Sequence, residues 1–265
     1  MISYRDLALG VRSLDLPPGK PLLVHVSLGS FNDTLRGGPD ALLGALVDQA
    51  GGVMSPTFTY KTMLVPESGP AGNGMTYGTG GDSNRLAEFF SPEMPVDPSL
   101  GVFAEAVRRR PDARRSTHPI LSFAGIGVDD LLATQTLAGP LAPIGELARR
   151  GGSVVLIGVD HTANTAIHYA EALAGRKQFV RWALTPLGVR ECPGFPGCSD
   201  GFRKAGPYLD PWTRRAQVGE SIWRAIPAAR LVEVIAALVV DQRLALLCDR
   251  PDCERCGAVR AAPTG

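Results

Sequence analysis

LLVHVSLGSFNDTLRGGPDALLGALVDQAGGVMSPTFTY, residues 22–60, holds the pattern that decides the fold. The apolar run Leu22–Val26 has the length of a buried strand, and it ends in a polar loop that carries Gly37 and Gly38. From Pro39 to Gln49, Leu42, Leu43, Leu46 and Val47 recur at helical spacing. Gly52 to Met54 then lead into the β-rich run SPTFTY. Strand, loop, helix and strand in this order form a unit whose two strands lie parallel. At the start of its helix, the backbone N–H groups and the positive end of the helix dipole favour an anion, which makes Arg36, Gly37 and Gly38 a candidate phosphate site. The bland reading of Gly-Gly before a helix is a tight turn.

A second unit of the same kind is PLAPIGELARRGGSVVLIGVD, residues 140–160, which reads as a helix, a Gly-Gly turn and a buried strand over Val154–Gly158. The two units predict an α/β protein with a central, mostly parallel or mixed sheet flanked by helices. Residues 1–265 read as a single domain, with a C-terminal subregion over 186–265 that carries every cysteine. The balance of 27 basic against 26 acidic side chains offers no basic field for nucleic acid or an anionic membrane. The run Leu231–Val240 is broken by Glu233 and reads as a buried helix. No signal-peptide core or membrane span is evident, so the expected setting is the cytoplasm, the expected partners are small molecules, and the expected state is a monomer or homodimer.

Three further stretches carry chemistry. Residues 61–101 hold many Gly, Pro and Ser and little periodicity, as in the long irregular segments that serve as lids or binding loops. In RRSTHPILSFAGIG, residues 114–127, Arg114, Arg115, Ser116 and His118 suit recognition of phosphate or carboxylate, or else form a solvated basic corner. DHTANTAIHYAEAL, residues 160–173, follows the predicted strand directly. Asn164 or Thr165 caps the next helix, which carries His168 in its first turn and Glu171 three residues on, on the same face. A histidine there stands where α/β proteins place their sites, beside a dipole that favours the neutral imidazole a general base needs. The alternative is a core histidine with satisfied hydrogen bonds.

In composition and order, the blocks VHVSLGSFNDTLRGGPDALLGALVDQAGGVMSPTFT, RRSTHPILSFAGIG, LAPIGELARRGGSVVLIGV and ANTAIHYAE resemble the aminoglycoside 3-N-acetyltransferase family. The resemblance implies an α/β fold distinct from the common N-acetyltransferase fold, acetyl-CoA as co-substrate, and transfer of the acetyl group to a primary amine of an aminoglycoside antibiotic. Carried over by residue, it makes His168 the general base and Glu171 its acidic companion. Ser27, Leu28, Arg36, Gly37 and Gly38 become the CoA-contacting loop, and Arg115, Ser116 and His118 a block near CoA. Ser27 and Thr165 are candidate donors to a thioester oxyanion. This chain departs from the pattern with His25-Val26-Ser27 and Ala142-Pro143, and it has Tyr60, Lys61 and Thr62 where some members place a carboxylate. A polycationic acceptor would then depend on Glu67, Asp82, Glu88 and Glu93. Acylation of another amine-bearing metabolite, or hydrolysis of a thioester or amide, are the alternatives.

All five cysteines fall in the last 74 residues. Cys248, Cys253 and Cys256 form a short knuckle after the strand-like LALL run, and Cys192 and Cys198 flank PGFPG. A Cys-x2-Cys pair with distant thiols has the spacing of a tetrahedral structural zinc site, with free or redox-active thiols as the alternative. The resemblance favours Cys198 with Cys248, Cys253 and Cys256, and Cys192 is the substitute. Four thiolates leave no open position for water, so such a metal would hold the tail in place and take no part in hydrolysis.

Overall fold

The computed structural model describes residues 1–262. Helix α1 (Tyr4–Ser13) starts on a capping box in which Ser3 and Asp6 satisfy each other's backbone amides. It leads to β1 (Pro21–Val26), α2 (Gly38–Val47) and β2 (Gly52–Pro56), the unit expected from residues 22–60. Next come β3 (Met63–Leu64), α3 (Gly81–Arg85), α4 (Gly101–Arg109), β4 (Arg114–Arg115), β5 (Phe123–Ile126) and α5 (Asp129–Leu132). The second expected unit is α6 (Ala142–Arg149) followed by β6 (Ser153–Ile157), and α7 (Thr165–Leu173) comes directly after it. The chain continues through β7 (Phe179–Thr185), β8 (Gly188–Phe195), α8 (Gly206–Leu209), β9 (Arg214–Val218), β10 (Ser221–Pro227), α9 (Ala228–Asp241) and α10 (Glu254–Arg260).

The main sheet has the order β4-β5-β2-β1-β6-β10-β9. Only the three central strands are parallel: β1 pairs with β2 from Pro21↔Gly52 to Leu23↔Met54, and with β6 from Leu22↔Ser153 to Val26↔Ile157. The outer pairs on both sides are antiparallel. Because side chains alternate along a strand, each central strand feeds two cores. Leu22, Val24, Val53, Val155 and Ile157 point into a core with Leu7 and Val11 of α1, Leu42 and Leu46 of α2, and Phe103 and Val107 of α4. Leu23, Met54, Val154 and Leu156 point the other way, onto Ile144 and Leu147 of α6, Ala166 and Ile167 of α7, and Leu231 and Ile235 of α9. The run Leu231–Val240 therefore lies in a helix, as its pattern requires. None of the helices among the described residues is long and apolar enough to cross a membrane.

Two expectations are corrected. The strand in SPTFTY stops at Pro56; beyond it, Thr57 and Thr59 still donate their backbone N–H groups to Ser122 O and Ile120 O at 2.8 and 2.9 Å. The LALL run at 244–247 is a turn and not a strand, with Leu246 at φ +63°. Its carbonyls face no neighbouring strand, and side chains take two of them: Arg176 donates to Ala245 O and Lys204 to Leu247 O.

Residues 61–101 cross the small antiparallel sheet β3-β7-β8 and are tied to it. The Asn73 side chain acts as an extra rung, accepting from Val180 N at 2.8 Å and donating to Val180 O at 3.0 Å, and Phe90 N donates to Leu184 O. The segment is a strap that delivers Ser99 and Leu100 to the end of the main sheet.

At that end Gly158 makes the closest approach. It sits at φ +63°, and a Cβ there would lie 1.7 Å from Ser30 Oγ, whose hydroxyl is 2.8 Å from Ser221 Oγ. Gly175 also has a positive φ, +77°, but nothing lies within 4 Å of its missing Cβ. Gly175→Ala is expected to cost about 1 kcal/mol from backbone strain alone, and Gly158→Ala at least about 2 kcal/mol more through the added clash, as read by urea unfolding.

Candidate active site

In a parallel sheet, the carboxyl ends of the strands border an open crevice where loops and helix N-termini meet. Here the crevice is a cleft of about 350 Å³. Its floor takes His25 and Val26 from the end of β1, Ser55 and Pro56 from the end of β2, and Val159 beyond β6. Phe58, Tyr60, Leu100 and Phe103 form an apolar side. Phe195, Pro196, Gly197, Ser199 and Arg255 form a mixed side, and Asn164, Thr165 and His168 enter with the first turn of α7.

Helical spacing places His168 and Glu171 on one face of α7, and the imidazole Nδ1 lies 3.1 Å from Glu171 Oε2. The other carboxylate oxygen accepts a hydrogen bond from Arg176 Nη1. Arg176 Nη2 donates in turn to Arg243 O and Ala245 O at 2.9 and 2.7 Å, so the turn after α9 holds the far end of the chain. His168, Glu171 and Arg176 are 9%, 2% and 8% exposed, so their hydrogen bonds to one another are largely shielded from water. A carboxylate on Nδ1 selects the tautomer with a proton there and leaves Nε2 with a free lone pair. The ring is further confined by Phe202, whose centroid is 4.6 Å away. Asn164 caps α7 by accepting from Ala166 N at 3.2 Å, and Thr165 is the first residue of the helix. The cleft thus holds a histidine with an available ring nitrogen, and a threonine hydroxyl at a helix N-terminus, the equipment for moving a proton and stabilising an oxyanion.

Of the residues expected to contact CoA, none of Ser27, Leu28, Arg36, Gly37 and Gly38 lines the cleft. Ser27 lies next to its floor, with its amide donated to Ile157 O at 2.9 Å, so it is Thr165 and not the Ser27 amide that faces the cleft. Arg36 and Gly37 are exposed, before an α2 whose capping position has no side-chain hydrogen bond. The 114–118 block is put to a different use. Arg115 directs its guanidinium to Ser122 Oγ, Pro92 O, Met94 O and Thr57 O. Ser116 Oγ accepts from Phe123 N at 2.8 Å, and His118 Nδ1 accepts from the amides of Ile120 and Leu121. These three side chains brace the β4–β5 turn and the strap. Glu67, Asp82, Glu88 and Glu93 all lie away from the cleft, with Asp82 paired to Arg85 and Glu88 to Lys61.

The sequence marks no role for Arg176 or Arg255, and it marks His25 only within the His25-Val26-Ser27 departure. A lone histidine at the end of an apolar strand was the available signal for His25. For Arg176 and Arg255 there was none, because their roles arise from contacts between distant segments.

The Cys198, Cys248, Cys253 and Cys256 thiols lie within 4.8 Å of one another and are buried. Cys192 stands apart, its thiol directed to Arg190 O at 3.7 Å. Burial pushes Cys256 up to about 11 and Cys198 further still. Burial also acts to raise Cys253, but hydrogen bonds from the Cys256 amide and from Cys248, Arg250 and Cys256 outweigh it and bring that thiol down to about 7.

A family model described as aminoglycoside 3-N-acetyltransferase matches residues 23–239, so this chain belongs to that family. Among its relatives, aminoglycoside N(3)-acetyltransferase VII of Streptomyces paromomycinus is 32% identical over 68% of this chain, and aminoglycoside N(3)-acetyltransferase IV of a Salmonella species is 33% identical over 61%. The matched stretches span 64% and 56% of those relatives' own lengths. The crystal structure of aminoglycoside acetyltransferase AAC(3)-IVa superposes with a TM-score of 0.78 at 25% identity, over 98% of this chain and 96% of that one. A histidine-to-alanine mutant of the same acetyltransferase, in complex with a gentamicin, gives 0.77 over the same shares.

Burial holds His25 neutral, lowering it from 6.5 to about 3, and likewise lowers His118 to about 4. The unfolded chain binds these protons near pH 6.5 and the folded one does not. Stability is therefore complete above pH 6.5 and falls as pH drops from there toward 4, by up to about 1.4 kcal/mol per pH unit for each histidine. His118→Asn is expected to flatten that slope in urea titrations run between pH 7 and 4.

Proposed function

We propose that this protein transfers the acetyl group of acetyl-CoA to a primary amine, directly and without a covalent enzyme intermediate, with His168 as general base. The His168–Glu171–Arg176 chain on a cleft at the carboxyl ends of the parallel strands carries this reading. Family membership and the named acetyltransferase relatives support it, and the gentamicin complex of a relative has an amine-bearing ligand on this fold.

His168 Nε2 takes a proton from the attacking amine as nitrogen bonds to the thioester carbonyl carbon. Negative charge then forms on the carbonyl oxygen, where the Thr165 hydroxyl and the N-terminal turn of α7 are placed to donate. As the C–S bond breaks, the proton on Nε2 passes to the departing CoA sulfur. The products are the amide and CoA thiol, and His168 is neutral again. Glu171 stabilises the transient imidazolium, and Arg176 holds the Glu171 carboxylate in place. Ser27 and Leu28 beside the floor, with Arg36, Gly37 and Gly38 at the start of α2, remain the proposed path of CoA toward that centre.

His168→Ala is expected to lower acetyl transfer at least about a hundredfold, followed as thiol release from acetyl-CoA, with acetyl-CoA binding retained. Undiminished activity would remove His168 from the mechanism. Thiol release that needs no amine would mark a hydrolase instead.

We further propose that Cys198, Cys248, Cys253 and Cys256 hold a structural zinc ion. The donor set fits: four buried sulfurs in one cluster, within reach of one ion, with one thiol already lowered. The metal would tie the 196–199 loop to α10 and take no part in acetyl transfer. Metal analysis of the purified protein is expected to give one zinc per chain, retained in Cys192→Ser and lost in Cys253→Ala together with thermal stability.

A further inference from the structure

We propose that the acceptor is an amine that also carries an anionic group, carboxylate or phosphate, which Arg255 binds. This rests on the amine-acetylation reading and names the acceptor class for it.

Arg255 stands between Cys253 and Cys256 in the first turn of α10 and lines the same cleft as His168. Its Nη1 donates to Gly197 O at 2.8 Å, next to Cys198. The four-thiol cluster therefore anchors both the arm of Arg255 and the loop that steadies its guanidinium. On the other side the strap packs against it, since a Cβ at Gly74 would lie 2.9 Å from Arg255 Cα. Among the described residues, the Arg255 guanidinium makes one hydrogen bond, to Gly197 O, and no ion pair.

A second cation lies behind the same wall. Arg181, 4% exposed, donates to the carbonyls of Asn73, Gly74 and Val180, and its guanidinium stands 5.0 Å from the ring centroid of Phe195, which lines the cleft. Burial, and then the charge of Arg255, lower Arg181 to about 10, which leaves it cationic at neutral pH.

The acids nearest these charges, Glu254 beside Arg181 and Asp97 beside Tyr60, stand outside the cleft. Among the described residues, no Asp or Glu lines the cleft. Glu171 belongs to His168 and Arg176. Asp160 is held by Thr162 and Arg203, and one oxygen of Asp97 accepts both the Ser99 N–H and hydroxyl. Glu254 is exposed and bonded to Thr76. A polycation entering this space meets the Arg255 guanidinium, with the charge of Arg181 behind the wall, and no carboxylate on the lining to replace its hydration. A carboxylate or phosphate oxygen meets a planar fork with free N–H groups.

The test compares three acceptors in the thiol-release assay with acetyl-CoA: glucosamine, its phosphate ester, and gentamicin. In the wild-type protein the ester is expected to exceed glucosamine by at least about tenfold in kcat/KM and to exceed gentamicin as well. Arg255→Gln should erase the preference by raising KM for the ester, with KM for acetyl-CoA within about twofold of wild type. Arg255→Lys, which keeps the charge, should retain part of it, and unchanged metal content and melting temperature would certify the fold of both variants. Preference for gentamicin, or a loss in Arg255→Gln that falls on acetyl-CoA, would overturn the proposal. Absence of thiol release with every amine would instead overturn acetyl transfer. Calorimetry of the two sugars needs no turnover and decides the acceptor class independently. Tighter binding of the ester that Arg255→Gln abolishes supports the proposal, and equal or no affinity for both sugars overturns it.

Discussion

Strand β1 is flanked by parallel partners on both edges and covered by helices on both faces, and this constraint organises the rest of the molecule. A strand so enclosed has to be apolar on both sides, and Leu22, Leu23 and Val24 are fully buried. Parallel neighbours require crossovers, so α2 lies on one face and α6 on the other. The shared direction of the three strands brings their carboxyl ends together at one edge of the sheet. The cleft, the first turn of α7 and the close packing at Gly158 all occur at that edge because the strands point there.

Within the cleft, a costly feature is maintained for geometry. Burying Glu171 and Arg176 forfeits their hydration, and their attraction in a low-dielectric interior offsets that loss only when the hydrogen bonds are well made. Arg176 meets much of the condition by reaching two carbonyls of the turn at 243–245, which also leads into the cysteine cluster, although its buried Nε has no partner among the described residues. The orientation of the His168 ring is thus set by residues more than seventy positions further along the chain. This link also joins the His168 side of the cleft to the thiol-anchored side, where Arg255 stands.

What depends on short-range pattern was legible in the sequence. The two strand–helix units, the helix over 231–240, the Asn164 cap, the His168–Glu171 pair and the group of four cysteines all follow from spacing or from the resemblance those spacings carry. The antiparallel additions at both edges of the sheet were not legible, because short strands such as β4 and β9 gain their identity from the neighbour they pair with. The same holds for the LALL segment, whose composition suits a strand but which has no strand beside it. Arg115, Ser116 and His118 show the opposite limit: residue types suited to an anion were equally suited to satisfying carbonyls and amides in a tight turn, and the turn claimed them. The acids expected to serve an acceptor were placed by composition alone, whereas the strap that carries them directs their side chains away from the cleft.

The cleft draws on residues from nearly the whole length of the chain, from His25 to Arg255. A ribosome releases the first long before the last, and the central pairing of β1 with β6 must already wait about 130 residues for its partner. During synthesis, the early β1–α2–β2 unit therefore exists with one edge of its central strand open. The growing chain cannot present the complete cleft, however well its first half folds, until α10 with Arg255 has left the exit tunnel. The complete cleft is in this sense a late product of synthesis, assembled well after the sheet that floors it has begun to form.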